Sequence, residues 1–261
     1  MNTVLLNYAD AAFAPYQAIC SFTGKLFGCD EVRSYCPSDI PADFYRSHRR
    51  ILDAPLGAGN WLWKPYFIVH TLANMNEGDL LIYADSGMQF VNPIAPFLTA
   101  MDTIESDLHI LGEHASEAQY TRRDAFVLME ADSERFAFSP QRLASAFLLR
   151  NTSWARDFAQ RYLDCACDPR ILLDGPNHFE QDNYAEFVAH RHDQSVFSLL
   201  SKKEGVPCPA LGLITEGLAP RRQQVLNHTR GKIAPGIILT HLYKTGVLDQ
   251  SALTTLSSLP R

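Results

Sequence analysis

Long apolar runs, an excess of basic charge and paired cysteine motifs are all missing from this sequence. No apolar run approaches the roughly 20 residues needed to cross a membrane. The chain has 23 lysine and arginine residues against 29 aspartate and glutamate residues, which gives a net charge of -6. Because binding to a phosphate backbone depends on positive charge, this balance predicts that nucleic acid is not a partner.

The first residues, MNTVLLNYAD, lack the basic segment and the long apolar segment of a signal peptide. We therefore expect a cytoplasmic protein. The cysteines form no C-x-x-C unit of the kind that holds zinc, so they are expected to be free thiols. They are Cys20, Cys29, Cys36, Cys165, Cys167 and Cys208.

Several common catalytic motifs are missing as well. The sequence has no Walker loop, no G-x-G-x-x-G fingerprint and no G-x-S-x-G elbow. Their absence argues against the commonest classes of nucleotide hydrolase, dehydrogenase and esterase.

The sequence does contain short apolar runs alternating with helical patterns. Thr3–Tyr8 and Leu80–Ala84 are apolar runs too short for helices, and they predict buried strands. Asp10 and Asp85 follow these strands. Because ligands of open α/β sheets bind outside the carboxyl ends of the strands, we expect both aspartates to face one crevice.

Helical periodicity is clearest at residues 16–27, 65–74, 154–163 and 190–203. No internal repeat or clean linker interrupts the chain. Its 261 residues suffice for one large α/β domain, which we place at residues 1–240, with a C-terminal extension at residues 241–261.

Lys64 begins a predicted helix directly after a glycine-containing loop at residues 56–60. Such a lysine can bind a diphosphate, because the loop can approach a ligand closely and a helix N-terminus favours anions. The alternative is a surface lysine whose stem covers Trp61 and Trp63. Asp85 at its strand end can take a ribose hydroxyl or a hard divalent cation, although apolar strands ending in aspartate are common.

Two later segments concentrate ionisable groups. Residues 190–194, HRHDQ, place Asp193 and Gln194 in the first turn of a helix, where they suit proton transfer or sugar recognition. A zinc site formed by His190, His192 and Asp193 and a solvated helix start are the alternatives.

The segment at residues 227–232, NHTRGK, holds His228, Arg230 and Lys232. These groups can close over phosphates from the C-terminal side, and ordinary surface charge is the alternative.

The order of several rare residues carries a resemblance to a known family. The sequence reads G-x-G-N-W-L-W-K-P-Y from Gly57, then Gly78-Asp79, then I-Y-x-D-x-G from Ile82 to Gly87. It resembles bacterial and viral polysaccharide glycosyltransferases with the pattern G-x-W-x-W-K-P and Y-x-D-x-G, and the likeness extends through Gln141 to the C-terminal cations.

The resemblance implies a GT-A fold, in which an open, mostly parallel sheet is flanked by helices. It implies that Asp10 holds the base or ribose, that Lys64 and Arg230 hold the diphosphate, and that Asp193 with Gln194 acts at the sugar. His228 and Lys232 complete the donor site. Asp85 stands at the first position of the D-x-D motif, and Gly87 replaces the second aspartate. Metal binding by Asp85, and hence a Mn²⁺ or Mg²⁺ cofactor, therefore stays open.

The expected function is transfer of a sugar from a nucleotide-diphosphate donor to a glycan or lipid-linked glycan acceptor. The family's role implies surface polysaccharide or lipopolysaccharide synthesis, with a peripheral position at the membrane surface. Asp193-Gln194 slightly favours retention of anomeric configuration. The alternatives are a nucleotide-sugar hydrolase or phosphotransferase and an inactive glycan-binding module.

Overall fold

The computed structural model describes residues 1–209, 212–218 and 223–258. The strands are β1 (Thr3–Tyr8), β2 (Glu31–Tyr35), β3 (Leu80–Ala84), β4 (Met88–Phe90), β5 (Leu108–Ile110), β6 (Glu113–Ser116), β7 (Pro140–Arg142), β8 (Ala146–Arg150), β9 (Ile214–Glu216) and β10 (Leu226–His228).

A 3₁₀ turn lies at Pro37–Asp39, and the α-helical segments range from single turns to fourteen residues. They are α1 (Ala14–Leu26), α2 (Ala42–Ser47), α3 (Arg49–Leu52), α4 (Gly57–Asn60), α5 (Trp63–Ala73), α6 (Ala95–Thr103), α7 (Glu117–Tyr120), α8 (Arg123–Leu128), α9 (Glu134–Ala137), α10 (Ser153–Ala166), α11 (Pro169–Leu172), α12 (His192–Lys203), α13 (Pro235–Lys244) and α14 (Gln250–Ser257).

The central sheet has five strands in the order β2-β1-β3-β8-β5. Strand β1 pairs in parallel with β2 and β3, whereas β8 is antiparallel to both of its neighbours, β3 and β5. In this sheet, β2, β1, β3 and β5 therefore run in one direction, and β8 runs in the opposite direction. The predicted open, mostly parallel sheet with flanking helices is confirmed.

The apolar runs that predict β1 and β3 are buried along their whole length, because both faces of the sheet are covered. Alternate side chains enter different cores. Leu5 and Ile82 pack on the side of α1 and β4, while Leu6 and Tyr83 pack on the side of α5, α10 and α12. This packing fixes the carboxyl ends of β1 and β3 side by side.

The C-terminal part returns to that end of the sheet. Strand β10 pairs antiparallel with β4, and His228 lies opposite Met88 in this register. Residues 227–231 are thereby brought over the chain segment that follows β3.

The proposed division at residue 240 stays a prediction, since helix α13 runs across that position and residues 259–261 lie outside the described part of the chain. None of the described helices has the length and apolar character required to cross a bilayer.

Candidate active site

A cavity of about 660 Å³ opens at the carboxyl ends of β1 and β3. Both Asp10 and Asp85 line it, so the prediction that they face one crevice is confirmed. The lining also includes most of the other predicted site residues. These are Lys64, Gly87, Asp193, Gln194, His228 and Arg230. Lys232 is exposed and does not line the cavity.

Lys64 is the central cation of this cavity, and only 3% of it is exposed. Its Nζ lies 2.6 Å from Asp193 Oδ2 and 3.5 Å from Asp85 Oδ1. The ammonium also donates to the carbonyl oxygen of Ala144 at 3.2 Å. With three acceptors around its three hydrogens, Lys64 is a buried bridge between two carboxylates, and its predicted contact with a diphosphate stays a prediction.

Burial disfavours the charged form of Lys64, but the adjacent carboxylates of Asp193 and Asp85 outweigh burial and raise its pKa. The lysine is therefore an ammonium. Burial also raises the pKa of Asp193, and Lys64 opposes that change. The charge state of Asp193 thus depends directly on Lys64.

Two tyrosine hydroxyls, which sequence reasoning did not assign to the site, hold the same carboxylates. Tyr83 donates to Asp85 Oδ1 at 2.6 Å, and Tyr162 donates to Asp193 Oδ2 at 3.1 Å. Tyr83 lies two residues before Asp85, and these two residues are the tyrosine and aspartate of the Y-x-D pattern. Tyr162 lies in α10, and no sequence motif points to it. The described contacts of Asp85 are made by Oδ1, and those of Asp193 are made by Oδ2. The other oxygen of each carboxylate is therefore left for a ligand.

The loop before α5 forms one wall with an unusual backbone. Although α4 has the hydrogen bonds of a single turn, its φ angles are left-handed, which costs L-residues roughly 1–2 kcal/mol each. The φ values are +60° at Gly57, +50° at Ala58, +95° at Gly59, +49° at Asn60 and +61° at Trp61. A Cβ on Gly57 would lie 2.5 Å from the Trp61 ring.

This strained turn positions aromatic rings at the cavity. Trp63 donates from its indole nitrogen to the Gly57 carbonyl oxygen at 3.0 Å and stacks on Tyr8 with ring centroids 3.9 Å apart. Trp61 packs near the His192 ring, with centroids 5.7 Å apart. Backbone strain that persists beside a cavity is typical of functional sites.

The histidines before α12 are used by the fold. His190 accepts from the Arg122 backbone N–H at 3.3 Å and donates to the Ile171 carbonyl oxygen at 2.8 Å, and burial lowers its pKa to about 3. His192 donates from Nδ1 to the Leu172 carbonyl oxygen at 2.8 Å. These contacts position the start of α12, and they occupy ring nitrogens that a zinc site would need.

The C-terminal segment lies close to the end of β3. The carbonyl oxygen of Gly87 accepts from the Thr229 backbone N–H at 3.0 Å and from its hydroxyl at 2.9 Å. A Cβ on Gly87 would lie 3.0 Å from the Gly231 nitrogen and 3.3 Å from Arg230 Cα. Glycine at this position therefore allows the segment with His228 and Arg230 to reach the cavity.

The residues present do not fit a divalent cation held by the protein. Asp85 and His228 line the same cavity, but Gly87 supplies no carboxylate and the Lys64 ammonium already lies beside Asp85. Within the described ranges, no group of three histidine, cysteine, aspartate or glutamate side chains is arranged to hold a metal. Burial lowers the pKa of His228, so it is neutral at neutral pH.

The sequence matches no protein-family model and no curated protein. Solved structures share the fold. Mouse xyloside xylosyltransferase 1 aligns with a TM-score of 0.50 and 13% identity over 90% of this chain and 100% of its own. The bifunctional glycosyltransferase WbbM aligns with a TM-score of 0.55 and 7% identity over 98% of this chain, which spans only 51% of WbbM.

A third structure, galactosyltransferase LgtC in complex with donor and acceptor sugar analogues, aligns with a TM-score of 0.49 and 13% identity over 99% of this chain and 98% of its own. The first two alignments show that the chain has the fold of known glycosyltransferases. The predicted GT-A fold is thereby confirmed.

Proposed function

We propose that the protein is a glycosyltransferase that moves a sugar from a nucleoside-diphosphate donor to a glycan or lipid-linked glycan acceptor. The observation that carries the proposal is the Lys64 ammonium held between Asp193 and Asp85 in a cavity at the carboxyl ends of the strands. Such crevices are where α/β sheets bind their ligands. A site for sugar transfer needs carboxylates and cations together, and this cavity combines them.

The arrangement of the cavity suggests how a donor would lie. Asp10, at the end of β1, is assigned to the base or ribose. Arg230 and His228 approach from the C-terminal segment and are assigned to the diphosphate, where positive charge or N–H donors stabilise the leaving group. Asp193 and Gln194 are assigned to the sugar. Gly87 contributes the close approach of chain segments rather than a side chain.

We assign Lys64 to the carboxylates rather than to the phosphates. Its ammonium keeps Asp193 ionised and oriented, so that Asp193 Oδ1 can accept a hydrogen bond from a sugar hydroxyl. Lys64 also places a fixed positive charge near the reacting centre.

Retention of anomeric configuration is the stereochemistry we propose. Asp193 Oδ2 is already held by Lys64 and Tyr162, and Oδ1 is assigned to a sugar hydroxyl, so neither oxygen of Asp193 is left to take the acceptor proton. The acceptor proton would instead pass to an oxygen of the departing diphosphate. The bond from the anomeric carbon to the phosphate oxygen breaks, and the bond to the acceptor oxygen forms on the same face.

Cation-independent transfer is part of the proposal, because Arg230 and the N–H groups of the C-terminal segment are assigned to the diphosphate, whose negative charge a Mn²⁺ or Mg²⁺ ion would otherwise neutralise. We also propose that the protein works in the cytoplasm, at the membrane surface where lipid-linked acceptors of surface polysaccharide or lipopolysaccharide synthesis are found.

The test is incubation of the protein with UDP-, GDP- and CMP-sugars and an oligosaccharide acceptor, with product analysis by mass spectrometry. A glycosylated acceptor supports the proposal, and nuclear magnetic resonance of the new linkage decides between retention and inversion. Release of free sugar without a glycosylated acceptor would identify a hydrolase. Binding of the sugar ligands without any turnover would identify an inactive glycan-binding module. If the protein bound no nucleotide at all, both the glycosyltransferase and the hydrolase assignments would be contradicted.

Chelation and a Gly87→Asp variant test the cation proposal. Transfer should persist in EDTA and should not increase with Mn²⁺. Gly87→Asp restores the second aspartate of D-x-D, but its Cβ would press against Gly231 and Arg230. We expect this variant to lose transfer without gaining a response to Mn²⁺, and a Mn²⁺-activated wild type would refute the proposal.

A further inference from the structure

A buried hydrogen-bond network leads to the cavity from the opposite end of α12. It begins at Glu117, which has no exposed surface. Glu117 Oε1 accepts from Lys202 Nζ at 2.8 Å and from the Ser198 hydroxyl. Glu117 Oε2 accepts from the Thr121 hydroxyl at 2.8 Å and from Gln141 Nε2 at 3.1 Å. The carboxylate is thus surrounded by donors, including a cation.

The Glu117 carboxylate determines how the Gln141 amide is oriented. A carboxylate only accepts hydrogen bonds, so the amide nitrogen of Gln141, and not its oxygen, must face it. The other neighbours of this nitrogen, the Tyr120 carbonyl and the hydroxyls of Thr121 and Ser195, are also oxygens, at 3.2 to 3.3 Å. A rotated amide would place its oxygen against this group of oxygens.

Gln141 in turn determines the orientation of Gln194. With its nitrogen directed to Glu117, Gln141 presents Oε1 to Gln194, and Gln194 Nε2 donates to it at 2.7 Å. Gln194 Oε1 lies 3.5 Å from the Ala144 backbone nitrogen, which donates to it. The second hydrogen on Gln194 Nε2 has no described partner, and Gln194 lines the cavity.

We propose that Gln141 is a positioning residue: through it, the buried Glu117 carboxylate fixes the Gln194 amide so that an N–H of Gln194 points to the donor sugar. This inference rests on the proposed function, which assigns Gln194 to the sugar. Gln141 has no exposed surface and does not line the cavity. It acts on the substrate only through Gln194.

Gln141→Met is the first test, because methionine has a similar length but neither donates nor accepts strongly. The Gln194 amide then becomes free to rotate. We expect kcat/KM for the donor to fall by at least about fivefold, the equivalent of one oriented hydrogen bond. Gln160→Met, on the exposed face of α10, is the matched control and should transfer like the wild type.

Gln141→Glu separates orientation from packing. The new carboxyl group would share its site with Glu117, and such pairs have one strongly raised pKa. When protonated, it donates to Glu117 and accepts from Gln194, as the amide does. The neighbouring Lys202 is paired with Glu117, and His190, which contacts Ser195, has a pKa of about 3, so neither group competes for this proton near neutrality.

Transfer by Gln141→Glu, divided by that of the wild type at each pH, should therefore rise as the pH falls from about 8 to about 5. The corresponding ratio for Gln141→Met should stay flat. A role in packing alone predicts no such rise.

A binding measurement keeps the inference testable without turnover. Calorimetry compares a nucleoside-diphosphate sugar with the sugar-free nucleoside diphosphate. Gln141→Met should lose affinity for the former by about fivefold and keep affinity for the latter. Two results would overturn the inference: Gln141→Met binds each ligand with the same affinity as the wild type, or it transfers sugar at a rate within about twofold of the wild type. A wild type that binds the nucleotide sugar without transferring it would instead contradict the proposed function.

Discussion

Helix α12 carries a buried ion pair at each end, and the two pairs differ in what surrounds them. Asp193, in the first turn, pairs with Lys64 at 2.6 Å, and Lys202, near the last turn, pairs with Glu117 at 2.8 Å. Both orientations suit the helix dipole, which favours acids at the N-terminus and bases at the C-terminus.

The surroundings distinguish the two pairs. Both oxygens of Glu117 are occupied by protein donors, and Glu117 does not line the cavity. The contacts of Asp193 are concentrated on Oδ2, and the cavity lies beside it. A buried ion pair by itself is weak evidence of function. Asp193 Oδ1, which has no described partner, makes the first pair a candidate active site, whereas the second pair reaches the cavity only through Gln141 and Gln194.

The largest effect should follow removal of the cation at the cavity. Lys64→Met leaves Asp193 buried without a counter-ion, which raises the pKa of Asp193 further and costs about 3–5 kcal/mol of stability. Transfer should be abolished. Urea denaturation and a transfer assay are the measurements.

A double variant separates the two consequences of that change. Lys64→Met with Asp193→Asn removes both charges, so most of the lost stability should return while transfer stays absent. Asp193→Asn alone should abolish transfer and leave nucleotide binding largely intact. If the double variant is as unstable as Lys64→Met, or if Asp193→Asn transfers normally, the cavity pair does not have the role assigned to it.

The second pair should show the opposite balance. Lys202→Met leaves Glu117 with three neutral donors, so we expect a stability loss of about 2–4 kcal/mol. The folded fraction should still transfer sugar at a rate near that of the wild type, because Glu117 keeps its contact with Gln141. Activity measured below the unfolding transition checks this, and a loss of kcat as large as that of Lys64→Met would erase the distinction between the pairs.

The sequence predicted the frame of the site better than its contacts. Strand ends are visible as apolar runs followed by Asp10 or Asp85, and parallel strands bring such ends together. The Lys64–Asp193 pair joins α5 to α12. It could not be predicted, because the hydrophobic periodicity of a helix does not show which other helix it packs against. Glu117 and Gln141 are likewise ordinary polar residues in short elements, and only the fold shows that they are buried together.

The left-handed turn was also beyond sequence reasoning. Gly57 and Gly59 predict a loop that can approach a ligand closely, but Ala58 and Trp61 adopt positive φ against their own preference. Only surrounding packing can impose such angles. The antiparallel direction of β8 is a similar case, because an apolar run at residues 142–150 carries no information about its direction.

Acid should weaken the cavity end of α12 through His190. Burial lowers the pKa of His190 from 6.5 to about 3, so the unfolded chain binds this proton before the folded protein does. The contribution of neutral His190 is complete above about pH 6.5 and is lost as the pH falls toward 3, with a slope of up to about 1.4 kcal/mol per pH unit.

His190→Gln can keep both hydrogen bonds without titrating. The unfolding free energy of this variant should therefore depend less on pH than that of the wild type below about pH 6. His70→Gln, on the exposed side of α5, is the control and should follow the wild-type curve. Parallel curves for His190→Gln and the wild type would show that His190 is not the group responsible.

The smallest effect concerns the backbone beside the cavity pair. Ala58 has a φ of +50°, so Ala58→Gly relieves left-handed strain in the folded state, while the added freedom of the unfolded chain offsets part of the gain. We expect a net stabilisation of about 0.5 kcal/mol. The same change in a regular helix, Ala252→Gly in α14, should instead destabilise by about 0.5–1 kcal/mol. Opposite signs for one chemical change would locate the strain at the cavity, and equal losses at both positions would show that the turn is relaxed.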